Sequence, residues 1–199
     1  MQPRIPRQPA PEDGCVPGEG AGLGAELAAV VTAARRRAVR DADRHTDTAH
    51  LLHALLEADP EVRAALGDGP LIARLLGYLV QRSIGYGLRW RGSVEDSGAL
   101  PVFTEDARPT ADGRRCSPAA RAALAHARRR AARHGRDAAC GLDLLAGLLA
   151  DPRSRAAEVL TRAGACPDEL AARLDDDART RPHRTSPTHG DHAGLPDPA

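Results

Sequence analysis

The sequence predicts an all-α protein of eight helices, arranged as a pseudo-twofold duplication of a four-helix unit. Of the 199 residues, 39 are Ala, whereas Leu, Ile, Val and Phe together number only 36. This composition favours closely packed helices, because Ala is the best helix former and strands prefer β-branched and aromatic residues. Apolar residues also recur at helical spacing, and the second half of the chain repeats the first.

The repeat consists of three matched segments that occur in the same order in both halves. The matched segments are 34–38 with 127–131, 51–56 with 144–149, and 59–65 with 151–157. The first two pairs share an offset of 93 positions, and the third is one residue shorter. Enrichment in Ala and Arg alone does not easily produce three ordered matches, so the sequence predicts two copies of one helical unit.

Capping and helix-breaking residues divide the first copy into four helices. The first helix is predicted from about Leu23 to Arg40, and the second begins near Thr48 as its N-cap. Asp59-Pro60 opens a short third helix, because Asp is a favoured N-cap and Pro suits the first helical position. Pro70 opens the fourth, whose predicted inward residues are Leu71, Ile72, Leu75, Leu76, Leu79 and Val80.

The second copy follows the same scheme. Its predicted helices begin at Ser117-Pro118, near Leu142, at Asp151-Pro152 and at Cys166-Pro167. Gly135 and Gly164 are predicted to end the first and third of these, because Gly readily adopts the left-handed conformation that follows a helix.

These boundaries predict one double-repeat helical domain at residues 21–178, with repeat one at about 21–84, a linker at 85–115 and repeat two at about 116–178. Residues 1–20 and 179–199 are rich in Pro, Gly and charge without periodicity, so disordered tails are expected there. No apolar run is long enough to span a bilayer, and the N-terminus lacks the apolar stretch of a secretory signal. A cytoplasmic protein with no membrane partner is therefore expected.

The composition excludes several classes of enzyme. All 28 basic residues are Arg, so the Lys of a Walker-type ATPase and the amine of a Schiff-base enzyme are both missing. No catalytic triad or metalloprotease motif occurs, and the four Cys show no CxxC pair or zinc spacing. We therefore expect a non-enzymatic protein with no cofactor and no metal. The net charge of +1 argues against a dedicated nucleic-acid partner.

The segment Thr48-Ala49-His50-Leu-Leu-His-Ala-Leu-Leu and its counterpart, Gly141-Leu142-Asp143-Leu-Leu-Ala-Gly-Leu-Leu, resemble a known family motif. They are similar to the Thr-Glu-His-Leu-Leu-x-Ala-Leu-Leu motif of the N-terminal repeat (Clp R) domain of ClpA, ClpB and ClpC unfoldases. The resemblance covers about residues 21–178. It implies a small, rigid helical domain that docks adaptors and substrates, here as a stand-alone N-domain without the ATP-driven ring.

The resemblance also implies a loss. In ClpC-type relatives the Glu of each motif helps to bind phosphorylated arginine, and the corresponding residues here are Ala49 and Leu142. Neither side chain can form charge-assisted hydrogen bonds with a guanidinium group. Recognition of phosphoarginine is therefore expected to be weak or lost.

The aromatic residues give the candidate protein- or peptide-binding site. All four lie between positions 78 and 103: Tyr78, Tyr86, Trp90 and Phe103. Tyr and Trp are typical anchors of protein interfaces, and the resemblance implies a groove near this segment that adaptors and some peptide antibiotics use. The alternative interpretation is that these side chains fill the seam where the linker crosses both halves.

Two further clusters have competing interpretations. His45, His50 and His53 lie close enough in sequence for two imidazoles to share a metal ion. No Cys or carboxylate at an obvious spacing completes such a site, so the favoured interpretation of His50 is a structural residue at a helix start. The Arg runs at 35–37 and 128–130 could bind anions, but solvated outer helix faces are favoured.

Together these observations predict a non-enzymatic protein-binding module that resembles a free Clp N-terminal domain. Its partners would be a Clp ATPase, its adaptors, or substrate proteins and peptides. It would dock adaptors or substrates, or act as a decoy that sequesters N-domain ligands. The alternative is an Arg-rich helical regulator that binds nucleic acid. The sequence leaves open the oligomeric state and whether proteolysis is promoted or inhibited.

Overall fold

Eight α-helices account for most of the residues that the computed structural model describes, which are 22–67, 69–83, 94–96 and 115–180. The elements are α1 Ala25–Arg40, β1 His45–Thr46, α2 Thr48–Ala58, α3 Pro60–Leu66, α4 Gly69–Ser83, β2 Arg115–Cys116, α5 Pro118–Arg133, α6 Gly141–Leu149, α7 Arg155–Arg162 and α8 Pro167–Thr180. The all-α prediction is confirmed. The two strands, of two residues each, are the small departure from it.

Short backbone pairings join the two repeats at equivalent places. Thr46, just before α2, pairs in parallel with Cys116, just before α5. Leu23, just before α1, pairs in parallel with Ala139, just before α6. The 93-position offset of the sequence repeat relates Thr46 to Ala139 and Leu23 to Cys116. Each pair is therefore the repeat equivalent of the other. The backbone therefore shows the pseudo-twofold relation that the sequence predicts.

The Leu-rich helices α2 and α6 form the centre of the core. In each repeat the preceding long helix packs along them, α1 on α2 and α5 on α6. The contact faces of the long helices carry fully or almost fully buried Ala residues: Ala34, Ala38, Ala127 and Ala131. Small side chains at these positions let the helix axes approach closely, which explains the high Ala content.

Most helix starts follow the predicted caps. The side chains of Asp59 and Ser117 cap α3 and α5, each with Pro at the start of the helix. Gly135 and Gly164 adopt φ values of +66° and +90° after α5 and α7. These are the left-handed conformations that favour Gly at a helix end.

One predicted N-cap and one predicted helix start are wrong. The N-cap of α2 is Asp47 and not Thr48, because the Asp47 carboxylate accepts a hydrogen bond from the backbone N–H of His50 at 2.9 Å. The N-cap of α7 is Ser154, and Asp151-Pro152 belongs to the turn before it. In both places neighbouring polar residues compete for the cap, and local sequence does not decide between them.

The amphipathic pattern of α4 is confirmed at its centre and fails at one edge. Leu75 and Leu79 are buried, and Leu71, Ile72 and Leu76 are partly buried. Val80, which was also predicted to point inward, is 50% exposed. The buried stripe of α4 is therefore narrower than its apolar stripe, and Val80 adds apolar area to the surface.

The Arg runs are only partly solvated. Arg36 and Arg129 are exposed, as predicted, and Arg37 forms a salt bridge with Glu57 at 2.6 Å. Arg130 contradicts the prediction, because it is 4% exposed and donates a hydrogen bond of 2.6 Å to the carbonyl oxygen of Leu174 on α8. In the part of the chain described, no helix is long and apolar enough to cross a membrane.

Gly147 lies where α5 and α6 come close together. A Cβ atom at this position would lie 2.3 Å from the carbonyl oxygen of Ala123, in a helix backbone that cannot move aside without cost. We expect Gly147→Ala to lower the free energy of unfolding by about 1–3 kcal/mol. The matched control is Gly77→Ala on α4, where no atom lies within 4 Å, and its higher helix propensity should add up to about 1 kcal/mol. Urea denaturation separates the two, and equal shifts would contradict the packing argument.

Candidate functional site at the helix N-termini between the repeats

The first motif copy, Thr48-Ala49-His50, forms the first turn of α2. All three side chains are buried, as is the capping residue Asp47. At 1% exposure Ala49 presents no surface to a ligand. The motif in this repeat is therefore buried and offers no binding surface of its own.

The imidazole of His50 lies among carboxylates. Its Nδ1 is 2.7 Å from Oδ1 of Asp47, and its Nε2 is 3.3 Å from Oδ2 of Asp43 and 3.5 Å from Oδ2 of Asp41. Burial opposes a charge on this ring, but the hydrogen bonds to the three carboxylates outweigh it and raise the pKa of His50 to about 10. The carboxylates therefore favour the charged form of this buried ring, which lies at the start of a helix as predicted.

Asp41, Asp43 and His50 also have the chemistry of a metal site, since one ligand-type atom from each lies within 4.8 Å of the others. The expectation that no carboxylate accompanies the histidines is wrong. However, Nη2 of Arg82 lies 3.0 Å from Oδ2 of Asp43, and Nη1 of Arg82 lies 3.1 Å from Nε2 of His50. A metal ion would have to displace this guanidinium, so the cluster is better described as an ion-pair network.

Asp47 extends the network across the two repeats. Its Oδ2 accepts hydrogen bonds from Arg82 and, at 2.6 Å, from Nη1 of Arg155 on α7. Burial alone would raise the pKa of Asp47, but the hydrogen bond and charge of His50, together with both guanidinium groups, hold it well below its usual range. One ionised carboxylate therefore links α2 of repeat one to α7 of repeat two.

A glutamate between the repeats, Glu95, joins three helix N-termini and is only 6% exposed. Its Oε2 accepts from the backbone N–H of Thr48 at 2.9 Å and from the hydroxyl of Ser117 at 3.1 Å. Its Oε1 accepts from the backbone N–H of Arg155 at 2.7 Å and from the Thr48 hydroxyl. The free N–H groups and dipoles of helix N-termini stabilise a buried negative charge.

The second motif copy, 141–143, opens α6 with the charges of the first copy reversed. Asp143, which corresponds to His50 in the repeat, forms two hydrogen bonds of 2.6 Å with the guanidinium of Arg136. Arg136 in turn corresponds to Asp43, the partner of His50. Each repeat therefore holds its motif turn with an ion pair, and the positions of cation and anion are exchanged.

The remaining motif positions explain why the family pattern changes here. A Cβ on Gly141 would lie 1.8 Å from Oδ2 of Asp59, so the larger Thr of the motif does not fit without movement of that side chain. Leu142 is partly buried and packs against the core. Neither Leu142 nor Ala49 supplies a carboxylate, and weak or lost phosphoarginine binding stays a prediction.

The described residues include one of the four aromatic residues predicted to bind a partner. Tyr78 lies on α4, half-buried, and packs against the core cluster. Tyr86, Trp90 and Phe103 lie outside the described residues. The predicted aromatic binding surface therefore stays a prediction.

Comparison with known proteins decides the family. Residues 115–194 match the model of the Clp repeat (R) N-terminal domain family. Over these residues the chain is similar to a Clp R domain. The resemblance inferred from the motif is thereby confirmed, and the sequence match covers the second repeat, where the motif is the more divergent of the two.

Solved structures share the fold of this chain. The N-terminal domain of the caseinolytic protease associated chaperone ClpD from Arabidopsis thaliana matches with a TM-score of 0.55 and 19% identity, over 79% of this chain and 95% of that one. A structure described as part of preliminary structural investigations of a malarial protein secretion system matches with a TM-score of 0.57 and 16% identity, over the same shares. No curated protein sequence matches the chain.

Proposed function

We propose that this chain is a non-enzymatic protein-binding module that serves Clp unfoldase and protease machinery. The observation that carries the proposal is the double-repeat Clp R fold, since domains of this family bind components of Clp machinery and their substrates. In this role residues 21–178 would form the docking unit. The chain would present substrates, occupy adaptors, or hold N-domain ligands away from a full-length unfoldase.

The proposed docking surface comprises the aromatic residues at the end of α4 and beyond it: Tyr78, Tyr86, Trp90 and Phe103. Two features of α4 support it. Tyr78 is half-buried rather than enclosed, and Val80 is 50% exposed on the same helix. Aromatic and apolar groups that stay at the surface are typical of protein interfaces.

Trp90→Ala is the variant that tests this surface. We expect it to weaken binding of the immobilised chain to a purified Clp ATPase or its adaptor by at least about tenfold, as for a central interface anchor. The control is Val39→Ala, which removes an apolar side chain that is 46% exposed on α1 and should leave binding unchanged. Unaltered capture by Trp90→Ala, with unaltered thermal stability, would remove Trp90 from the surface.

Nucleic-acid binding is the second function that the sequence allows, and the structure favours it less. Arg130 is buried, and Arg37 is paired with Glu57, so the two Arg runs offer fewer free guanidinium groups than their length suggests. Affinity for duplex DNA that falls steeply with salt concentration would reverse this preference.

A further inference from the structure

The hydrogen-bond donors around Glu95 belong to three helix N-termini, and none belongs to the segment that carries it. They are the backbone N–H groups of Thr48 and Arg155 and the hydroxyls of Thr48 and Ser117. Each oxygen of the carboxylate accepts one backbone N–H and one hydroxyl. Two oxygens with two donors each is the arrangement of an oxyanion-binding site at helix N-termini.

Contacts between the helices hold these donors in place without help from the carboxylate. The backbone N–H of Ser117 donates to the carbonyl oxygen of Thr46 at 2.8 Å, and that of Ala156 donates to Oγ1 of Thr48 at 3.0 Å. The backbone N–H of Ala120 donates to Oγ of Ser117 at 3.1 Å. Because both hydroxyl oxygens already accept a backbone N–H, their own protons are left to donate to an anion. The helices therefore form the site, and Glu95 only fills it.

The segment 94–96 is held on the helices by this one side chain. Val94 is 54% exposed and Asp96 is also exposed, so the chain on both sides of Glu95 lies at the surface. Within the described ranges, the carboxylate of Glu95 makes all the hydrogen bonds of this segment. The four donors would therefore open to solvent if this side chain were removed.

We propose that Glu95 is an internal ligand, which closes an oxyanion-binding site at the N-termini of α2, α5 and α7 against oxyanions from solution. A free carboxylate or phosphate group offers the same hydrogen-bonding oxygens and competes for the same four donors. The tethered carboxylate has the higher effective concentration, so it keeps the site closed in the intact chain. The inference goes beyond the proposed Clp docking role and uses none of the aromatic residues, so either can fail alone.

The test supplies the missing anion from solution to the full chain with Glu95→Ala. Thermal unfolding is followed in acetate or in inorganic phosphate, with chloride at equal ionic strength as the reference. At about ten times its Kd, the bound anion should raise the Tm of the variant by about 3–6 °C. If the variant is unfolded in chloride, the same anion should restore its helical circular dichroism. A larger rise with acetate assigns the site to carboxylates, and a larger rise with phosphate assigns it to phosphate groups.

Three comparisons show whether Glu95 itself closes the site. The wild type and Asp96→Ala, which removes the exposed neighbouring carboxylate, should show only the general effect of each salt on stability. Glu95→Gln keeps a side chain of the same size in the site and should behave as they do.

Two results would overturn the proposal. If acetate and phosphate stabilise Glu95→Ala no more than they stabilise the wild type, the four donors do not form an oxyanion-binding site. If Glu95→Gln gains as much as Glu95→Ala, the side chain at position 95 does not close the site. The experiment contains no Clp component, so its outcome is independent of the proposed docking role.

Discussion

Replacing Glu95 by Ala should lower the free energy of unfolding by about 3–5 kcal/mol, a large share of the stability of a small domain. The carboxylate accepts from the backbone N–H groups of Thr48 and Arg155 and from the hydroxyl of Ser117. Without it these buried donors lose their acceptor, and each such loss costs about 1–3 kcal/mol. The effect should appear as a lower urea midpoint with a slope close to that of the wild type.

Asp96 provides the matched control for this prediction. It follows Glu95 directly but is exposed, so Asp96→Ala should change stability by no more than about 0.5 kcal/mol. Glu95→Gln keeps the size of the side chain and one acceptor oxygen, and should fall between the two. If Glu95→Ala and Asp96→Ala have similar effects, the carboxylate does not hold the three helix N-termini together.

Raising the pH above neutrality should destabilise the protein through His50. The pKa of His50 is about 10 in the folded state and 6.5 as an ordinary value. A group with a raised folded pKa contributes stability that is complete below its unfolded pKa and disappears as the pH passes the folded value. Stability should therefore fall between about pH 6.5 and pH 10, and His50→Gln should remove most of that slope.

His53 should produce the opposite slope on the acid side. Burial and the charge of Arg37 lower the pKa of His53 to about 4, so the folded protein holds it neutral. Between about pH 6.5 and pH 4 the unfolded chain binds the extra proton, and stability falls as the pH is lowered. Thermal unfolding of His50→Gln and His53→Gln across both ranges checks the assignment, and a slope that stays in both variants would refute it.

Local signals allowed much of the fold to be predicted from the sequence. The caps Asp59 and Ser117 each precede a Pro, and the Leu-rich segments of α2 and α6 repeat at one offset, so helix number and duplication follow from residues that are close in sequence. The choice of Asp47 over Thr48 as the cap of α2 does not. Both residues are suitable N-caps by type, and the Asp47 carboxylate also pairs with Arg155, 108 positions away.

Less of the candidate site could be predicted from the sequence, again because its contacts join residues that are far apart in the chain. Glu95 lies in the segment Gly-Ser-Val-Glu-Asp-Ser-Gly at 92–98, which shows no periodicity or motif, and only the meeting of three helix N-termini gives it a role. The reversed ion pairs of the two repeats could not be predicted from the sequence either. A comparison of residue types does not reveal that His50 corresponds to Asp143, because the two have opposite charges. Each nevertheless forms an ion pair at the equivalent place in its repeat.

The crossed backbone pairs before the helices give one chain the symmetry of a dimer. Thr46 finds its partner in Cys116, and Leu23 finds its partner in Ala139, so each repeat completes its entry points only with backbone from the other. A single copy on its own would leave these groups without a partner. The arrangement has the symmetry of an isologous homodimer contact, in which each copy supplies what the other lacks, here within one chain.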